Sequence, residues 1–107
     1  MSVKSPFQPK RGANQKVTAS TTAAAIPIGF GNKSLRVLNA GSVVGYFRTY
    51  NSVDGPEVAT AADTPVAASG TAGSVIVIEK PQDHDSVSYL ADSTTTVMHF
   101  QPGEGGI

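Results

Sequence analysis

Apolar and polar residues alternate along much of this chain with the two-residue period of β-strands. Each run is short and is bounded by glycine, proline, asparagine or aspartate, which favour turns. No window sustains the 3.6-residue apolar period of a helix, so we expect an all-β fold. The runs that predict strands are QKVTAS (15–20), TAAAIPI (22–28), SLRVLNA (34–40), VVGYFRTY (43–50), SVIVIEK (74–80), SVSYLAD (86–92) and TTTVMHFQ (94–101).

The run at 34–40 has apolar residues on both faces, with Leu35, Val37 and Asn39 on one of them. The sequence NAGS at 39–42 predicts a turn, and we expect 43–50 to return as the second strand of a hairpin. The β-branched run at 74–80, which ends before Pro81, is the clearest strand of the chain.

Residues 51–73 form the least regular stretch, built from small residues and interrupted by Pro56, Pro65 and several glycines. A connection of this length is unusual in a compact domain unless it contains short strands. We expect one strand at Glu57–Thr60 and a surface excursion elsewhere. Strands at these intervals predict a single-domain jelly-roll or Greek-key β-sandwich.

Both ends of the chain differ from the alternating middle. Residues 1–14 carry two prolines, a glycine and three basic residues without an acid, which predicts an extended N-terminal arm. At the other end, we expect Pro102 to end the last strand and residues 102–107 to form a flexible glycine-rich tail. The sandwich domain would then cover residues 15–101.

Composition limits the sources of stability. The chain has 107 residues and no cysteine, so one core without disulfides or thiolate metal sites must hold the fold. The first eleven residues contain no apolar run of signal-peptide length, and no stretch has the ~18 apolar residues of a membrane span. We therefore expect a protein that is made in the cytoplasm and has no membrane partner.

Charge is balanced in total but uneven along the chain. The formal net charge is zero, yet every basic residue except Lys80 precedes residue 49 and every acid follows residue 53. The charges could intermingle on the surface of one sandwich, or they could make a dipolar module that docks on a charged neighbour. A basic arm can also bind nucleic acid, but three charges make a weak footprint, so we do not expect that partner.

Catalytic and metal-binding chemistry is sparse. The only histidines are His84 and His99, and no nucleophile elbow accompanies them. Asp83, His84 and Asp85 could hold a metal, but they lack the spacing of a known calcium loop and fit a solvated acidic turn. Without tryptophan the chain offers little for stacking a sugar. We expect no enzymatic activity, no metal and no cofactor.

Several segments in their order resemble structural proteins encoded in the morphogenesis regions of tailed bacteriophages. They are KVTAS (16–20), IPIG (26–29), LRVLNAGSVVGYFR (35–48) and HFQPGEGG (99–106). Within that group the chain is most similar to capsid decoration, or cement, proteins. The resemblance implies a jelly-roll or related sandwich on the outside of an icosahedral head, which oligomerises and clamps neighbouring copies of the major capsid protein.

The expected function is therefore that of a virion structural protein on the capsid exterior. Its partners would be the major capsid protein and its own copies, as a homo-dimer or homo-trimer. A phage tail, fibre or head-tail connector component and a small ligand- or carbohydrate-binding module remain alternatives. The residues that we predict at an interface lie toward the two ends of the chain: Lys4, Phe7, Lys10, Arg11, Phe100, Gln101, Glu104 and Ile107.

Overall fold

The computed structural model describes residues 6–105, which form nine strands and one turn of 3-10 helix at Ser52–Asp54. The prediction of an all-β chain is confirmed. The strands are β1 (Gln8–Pro9), β2 (Gln15–Ser20), β3 (Ala24–Pro27), β4 (Ser34–Asn39), β5 (Gly45–Tyr50), β6 (Thr64–Val66), β7 (Val75–Glu79), β8 (Ser86–Ala91) and β9 (Thr95–Glu104).

The strands form two antiparallel sheets that pack face to face as a β-sandwich. Sheet I has the order β1-β9-β4-β7, with β2 beside β1 on the same edge of β9. Sheet II has the order β3-β8-β5-β6. Consecutive strands therefore often lie in different sheets, and β9 is the central strand of sheet I.

The core lies between the sheets and is made from alternate residues of each strand. In β9 the even-numbered side chains Thr96, Met98 and Phe100 are fully buried. The ring of Phe100 lies 5.9 Å from that of Phe47 and 5.7 Å from that of Tyr89, both of sheet II. These aromatic contacts join the two sheets at the centre of the molecule.

Leu35, Val37 and Asn39, which the sequence pattern places on one face of the strand, all face the core. The amide of Asn39 donates to the carbonyls of Val43 and Val66, at 2.7 and 3.1 Å, and its oxygen accepts from Gly41 N and Thr96 Oγ1. Every hydrogen-bonding position of this buried amide is thus satisfied. The side chain ties β4 and β9 of sheet I to β6 of sheet II.

The hairpin predicted between 34–40 and 43–50 is wrong. β4 lies between β7 and β9 in sheet I, whereas β5 lies between β6 and β8 in sheet II. The connection at 40–44 therefore crosses from one sheet to the other instead of folding back. Both strands carry apolar residues on two faces, and local turn signals do not specify which neighbour such a strand joins.

The strand predicted at Glu57–Thr60 is also wrong. Residues 57–60 have no strand structure, and the only strand within 51–73 is β6. Ala59 in this stretch is nevertheless buried, and its N–H donates to Ser88 Oγ at 2.9 Å. The backbone N–H of Ala59 is thus hydrogen-bonded by a side chain of β8 and not by the backbone of a neighbouring strand.

The strand end predicted at Pro102 is wrong as well, because β9 continues to Glu104. Residues 102–104, which we assigned to the tail, pair with β4 or β1. The proline fits because no partner requires its missing N–H, while its carbonyl accepts from Lys10 N at 2.9 Å. Gly106 and Ile107 lie outside the described residues.

Candidate interaction surface

The two ends of the described chain meet at one corner of sheet I. We call this the terminal corner and define it as residues 7–10 and 101–104 together with Lys33 and Arg36. Gln8 pairs with Glu104 and Pro9 with Gly103. Residues that are distant in the sequence thus form one continuous surface.

Phe7 is the anchor of this corner. Its ring lies on the backbone of Gly103, where an added Cβ would stand 2.7 Å from the Phe7 Cζ atom and would also collide with the carbonyl oxygen of Gln8. The guanidinium of Arg36 lies 5.8 Å from the centre of the Phe7 ring, within the range of a cation–π interaction. The close approach therefore requires glycine at residue 103.

The carboxylate of Glu104 forms a further contact within the terminal corner. Its Oε2 atom accepts a hydrogen bond from the backbone N–H of Lys33 at 2.6 Å. This contact fixes the entry to β4 relative to the end of β9. Glu104 thereby has a structural role in addition to its exposed position.

The six predicted interface residues that the structure describes separate into exposed, half-buried and buried groups. Lys10, Arg11 and Glu104 are exposed, whereas Phe7 and Gln101 are half-buried at the terminal corner. Lys4 and Ile107 lie outside the described residues. The prediction that Phe100 lies at an interface is wrong. The residue is 0% exposed and packs in the core, so its side chain cannot reach a partner. Its even position in β9 directs it inward.

The basic and acidic residues, which lie in different halves of the sequence, are also distributed unevenly between the two sheets. Apart from Arg48, the exposed or half-buried basic side chains of the described chain lie on sheet I or its connections: Lys10, Arg11, Lys16, Lys33 and Arg36. Most acids lie in the loops of sheet II or at the ends of β8: Asp54, Glu57, Asp63, Asp83, Asp85 and Asp92. Glu79 and Glu104 are the acids of sheet I.

The exception, Arg48 of sheet II, is paired. Its guanidinium contacts Asp63 at 2.8 Å and Glu57 at 3.1 Å. Burial opposes the ionisation of Asp63, but the bonds from Arg48 and from the N–H of Thr60 outweigh it and lower the pKa of Asp63. Within residues 6–105 no other basic side chain forms an ion pair, so the remaining positive charge lies mainly on sheet I.

The outer face of sheet I thus has a small excess of positive charge, because Lys16 and Arg36 share it with a single carboxylate, that of Glu79 in β7. Lys16 of β2 and Arg36 of β4 point outward, and His99 and Gln101 of β9 lie between these strands on the same face. The sequence alone did not single out Lys16, Lys33 or Arg36. The alternation of β4 separates Arg36 from Leu35 and Val37, but it does not show that β2 and β4 flank β9.

The histidines and the acidic turn have structural partners. His84 Nδ1 lies 2.8 Å from Thr49 Oγ1, and the Asn14 amide lies 2.9 Å from His99 Nδ1. Asp85 accepts from the hydroxyl and the N–H of Ser52, which lowers the pKa of its carboxyl group. Within residues 6–105, no three histidine, cysteine or acidic side chains gather closely enough to hold a metal ion.

Lys80 is a buried charge that the sequence did not reveal. Its side chain is 1% exposed, and Nζ donates to the carbonyls of Pro81 at 3.2 Å and His84 at 2.8 Å. Burial lowers the pKa of Lys80, although Asp83, Asp85 and Glu104 favour its charged form. The ammonium group thus holds the turn between β7 and β8 closed.

Comparison with known proteins yields no match among protein-family models, curated proteins or solved structures. In the part of the chain that the structure describes, no helix has the length and apolar character needed to cross a membrane. The interaction surface must therefore be interpreted from its own chemistry.

Proposed function

We propose that this protein is a non-enzymatic virion component that binds the outer surface of a tailed-phage capsid and stabilises contacts between major capsid protein subunits. It would be made in the host cytoplasm and act on the capsid exterior. The resemblance of its segments to decoration proteins motivates the proposal.

The observation that carries the proposal is that sheet I concentrates basic side chains that form no ion pair within residues 6–105, next to the terminal corner. A surface of this kind suits docking on an acidic shell, because complementary charge steers association and fixes orientation. Residues 1–14 would act as an arm that extends the docking area. Many weak contacts of this kind add up when a shell presents repeated sites.

The strand order supports the proposal at the level of fold. We infer that β2–β9 make an eight-stranded jelly roll with two Greek keys, because the first and last strands of the set are neighbours and the sheets have the orders β2-β9-β4-β7 and β3-β8-β5-β6. Viral capsid domains use this architecture, but so do lectins and cupins, so the fold is support by analogy alone.

The test is binding of the purified protein to assembled shells that lack it, measured by co-sedimentation at graded salt. We expect binding to shells rather than to free capsid subunits, and weaker binding as salt rises. Lys16→Gln combined with Arg36→Gln should weaken binding roughly twofold to thirtyfold at low salt, because each of the two exposed ion pairs contributes about 0.2–1 kcal/mol.

A matched control changes charge by the same amount on the other sheet. Ala25→Glu combined with Thr64→Glu places two negative charges on exposed positions of β3 and β6 and should leave binding unchanged. Equal effects of the two double variants, or occupancy that does not respond to salt, would remove the outer face of sheet I from the proposal. Binding to free subunits but not to shells would refute the function.

A further inference from the structure

The outer strands of the two sheets differ in how well they are protected against pairing with another chain. In sheet II, β3 ends in Pro27 and β6 is only three residues long and contains Pro65. On one edge of sheet I, β1 contains Pro9 and β2 carries Lys16. Proline, lysine and short length are the usual devices that prevent edge-to-edge association.

The remaining edge, β7, has none of these devices. It is five residues long with the sequence VIVIE, and it contains neither proline nor lysine. Val75 is 50% exposed, and Ile76, Val77 and Ile78 are half-buried. Among residues 6–105, only β4 pairs with β7. A β-branched edge of this kind is suited to adding a further strand.

The backbone bonds of β7 show which groups face this open edge. Asn39 N donates to Ser74 O, and Lys80 N donates to Lys33 O, both at 2.8 Å. Hydrogen-bonded pairs alternate in an antiparallel ladder, so the residues of even number bond to β4. The N–H and C=O groups of Val75, Val77 and Glu79 therefore point away from β4.

We propose that β7 pairs in antiparallel fashion with β7 of a second copy, about a twofold axis at Val77. In that register Val77 lies opposite itself and Val75 lies opposite Glu79 of the second copy. The outward-facing groups then form three residue pairs, each exchanging two backbone hydrogen bonds. Sheet I becomes one continuous sheet across both molecules.

The side chains agree with this register. Ile76 lies opposite Ile78 of the second copy, and both residues already pack against the core of their own molecule. The only charges on the strand, the two Glu79 carboxylates, lie about 13 Å apart along the strand direction because four residues separate them. The edge is therefore complementary to itself in hydrogen bonding and in apolar contact, and no like charges lie opposite each other.

This inference goes beyond the proposed function, because the pairing would form in solution without any capsid protein. A dimer that fails to bind shells would refute only the function, and a monomer that binds shells would refute only the pairing. The two ideas can thus fail separately.

The experiment measures molar mass by light scattering over a range of micromolar concentrations. We expect a dimer for the natural chain and a monomer for Val77→Pro. This change removes an N–H that forms no hydrogen bond to β4 and would bond to the second copy. The control is Thr18→Pro in β2. Ala40 N donates to Val97 O, so the alternation directs the N–H of Thr18, opposite Val97, away from β9, and this variant should remain a dimer.

Cross-linking provides a second readout that does not depend on a proline. No cysteine occurs in the chain, so Val77→Cys can form a disulfide only between copies. Paired Cα atoms about 5.5 Å apart suit that bond. Val77→Cys should cross-link readily under mild oxidation, and Thr18→Cys should not. If Val77→Pro does not fold, Val77→Lys replaces it as the monomer variant.

Three results would overturn the pairing. The first is a natural chain that stays monomeric at every concentration, including one that captures only strands of other proteins. The second is a trimer, because a twofold strand pair closes at two copies. The third is a dimer that persists in folded Val77→Pro or Val77→Lys and cross-links no faster through Val77→Cys than through Thr18→Cys.

Discussion

At the scale of single residues, position within a strand determines what a side chain can do. Phe100 and Gln101 are neighbours in the sequence, yet the first lies in the core and the second on the outer face of sheet I. The phenylalanine therefore contributes to stability, while the glutamine is available to a partner. The same alternation separates Val37 from Arg36 in β4.

Phe100→Ala tests this assignment. The loss of a buried ring between Phe47 and Tyr89 should lower the free energy of unfolding by about 3–5 kcal/mol, measured by chemical denaturation. Gln101→Ala, the control on the outer face, should change stability by less than about 0.5 kcal/mol. If Phe100→Ala left stability intact, the ring would lie outside the core and our original prediction of an interface role would return.

Lys80 predicts a pH dependence of stability. Its pKa lies below the ordinary value of 10.5 because burial disfavours the ammonium ion. Between the lowered pKa and 10.5, the unfolded chain binds more protons at Lys80 than the folded chain does. The Lys80 contribution to the free energy of unfolding therefore becomes more favourable as pH rises through that window, and its destabilising effect is greatest below the lowered pKa.

The measurement is denaturation of the natural chain and of Lys80→Met at several values from about pH 8 to pH 10. The difference in stability between the two chains should shift toward the natural chain as pH rises. Lys33→Met, which removes an exposed lysine, is the control for the loss of one positive charge. Burial also raises the pKa of Tyr89, so its contribution to the free energy of unfolding becomes less favourable as pH rises. This contribution is the same in both chains and cancels in the comparison. A constant difference would contradict the buried charge.

At the scale of elements, the terminal corner depends on the close approach of one short segment to one strand. Gly103→Ala would place a methyl group against the Phe7 ring and the Gln8 carbonyl. We expect residues 6–10 to leave β9 while the sandwich stays folded, because none of them belongs to the core cluster.

Hydrogen exchange and trypsin cleavage measure this release. The amide of Lys10, which donates to Pro102 O, should exchange faster in Gly103→Ala, and cleavage after Lys10 or Arg11 should accelerate. Gln101→Ala, in the same strand but without the steric conflict, should behave like the natural chain. Unchanged protection of Lys10 in Gly103→Ala would show that the segment is held by other contacts.

The hydrophobic pattern predicted the positions of most strands correctly, but it did not predict which strands are neighbours. The runs predicted at 15–20, 34–40, 74–80 and 86–92 contain strands at 15–20, 34–39, 75–79 and 86–91. The wrong hairpin arose because β4 is apolar on both faces, so its pattern names no particular neighbour. The strand end at Pro102 was misplaced because a proline is tolerated where no partner needs its N–H, which depends on the neighbouring strands.

At the scale of the whole molecule, the sandwich should not depend on its N-terminal segment. Deletion of residues 1–14 should leave a cooperatively folded domain, since the core cluster begins at Val17. Docking on shells should weaken, because the deletion removes Lys10, Arg11 and the segment that covers Gly103. Thermal unfolding and co-sedimentation measure the two effects.

Deletion of residues 1–5 alone is the matched control and separates the described segment from what precedes it. If that shorter deletion weakened docking as much as the longer one, the terminal corner would contribute nothing to binding. A chain without residues 1–14 that failed to fold would show that β1 is part of the folding unit.

The β class, the position of most strands and the separation of charge along the chain can all be derived from the sequence alone. These properties follow from residue types and from a two-residue period, which are local. Only the folded molecule shows which strands are neighbours, that Phe100 and Lys80 are buried, and that most basic residues lie on sheet I near the terminal corner. Those outcomes depend on contacts between residues that are distant in the sequence. A pattern that repeats every two residues carries no information about which distant strand pairs with a given strand.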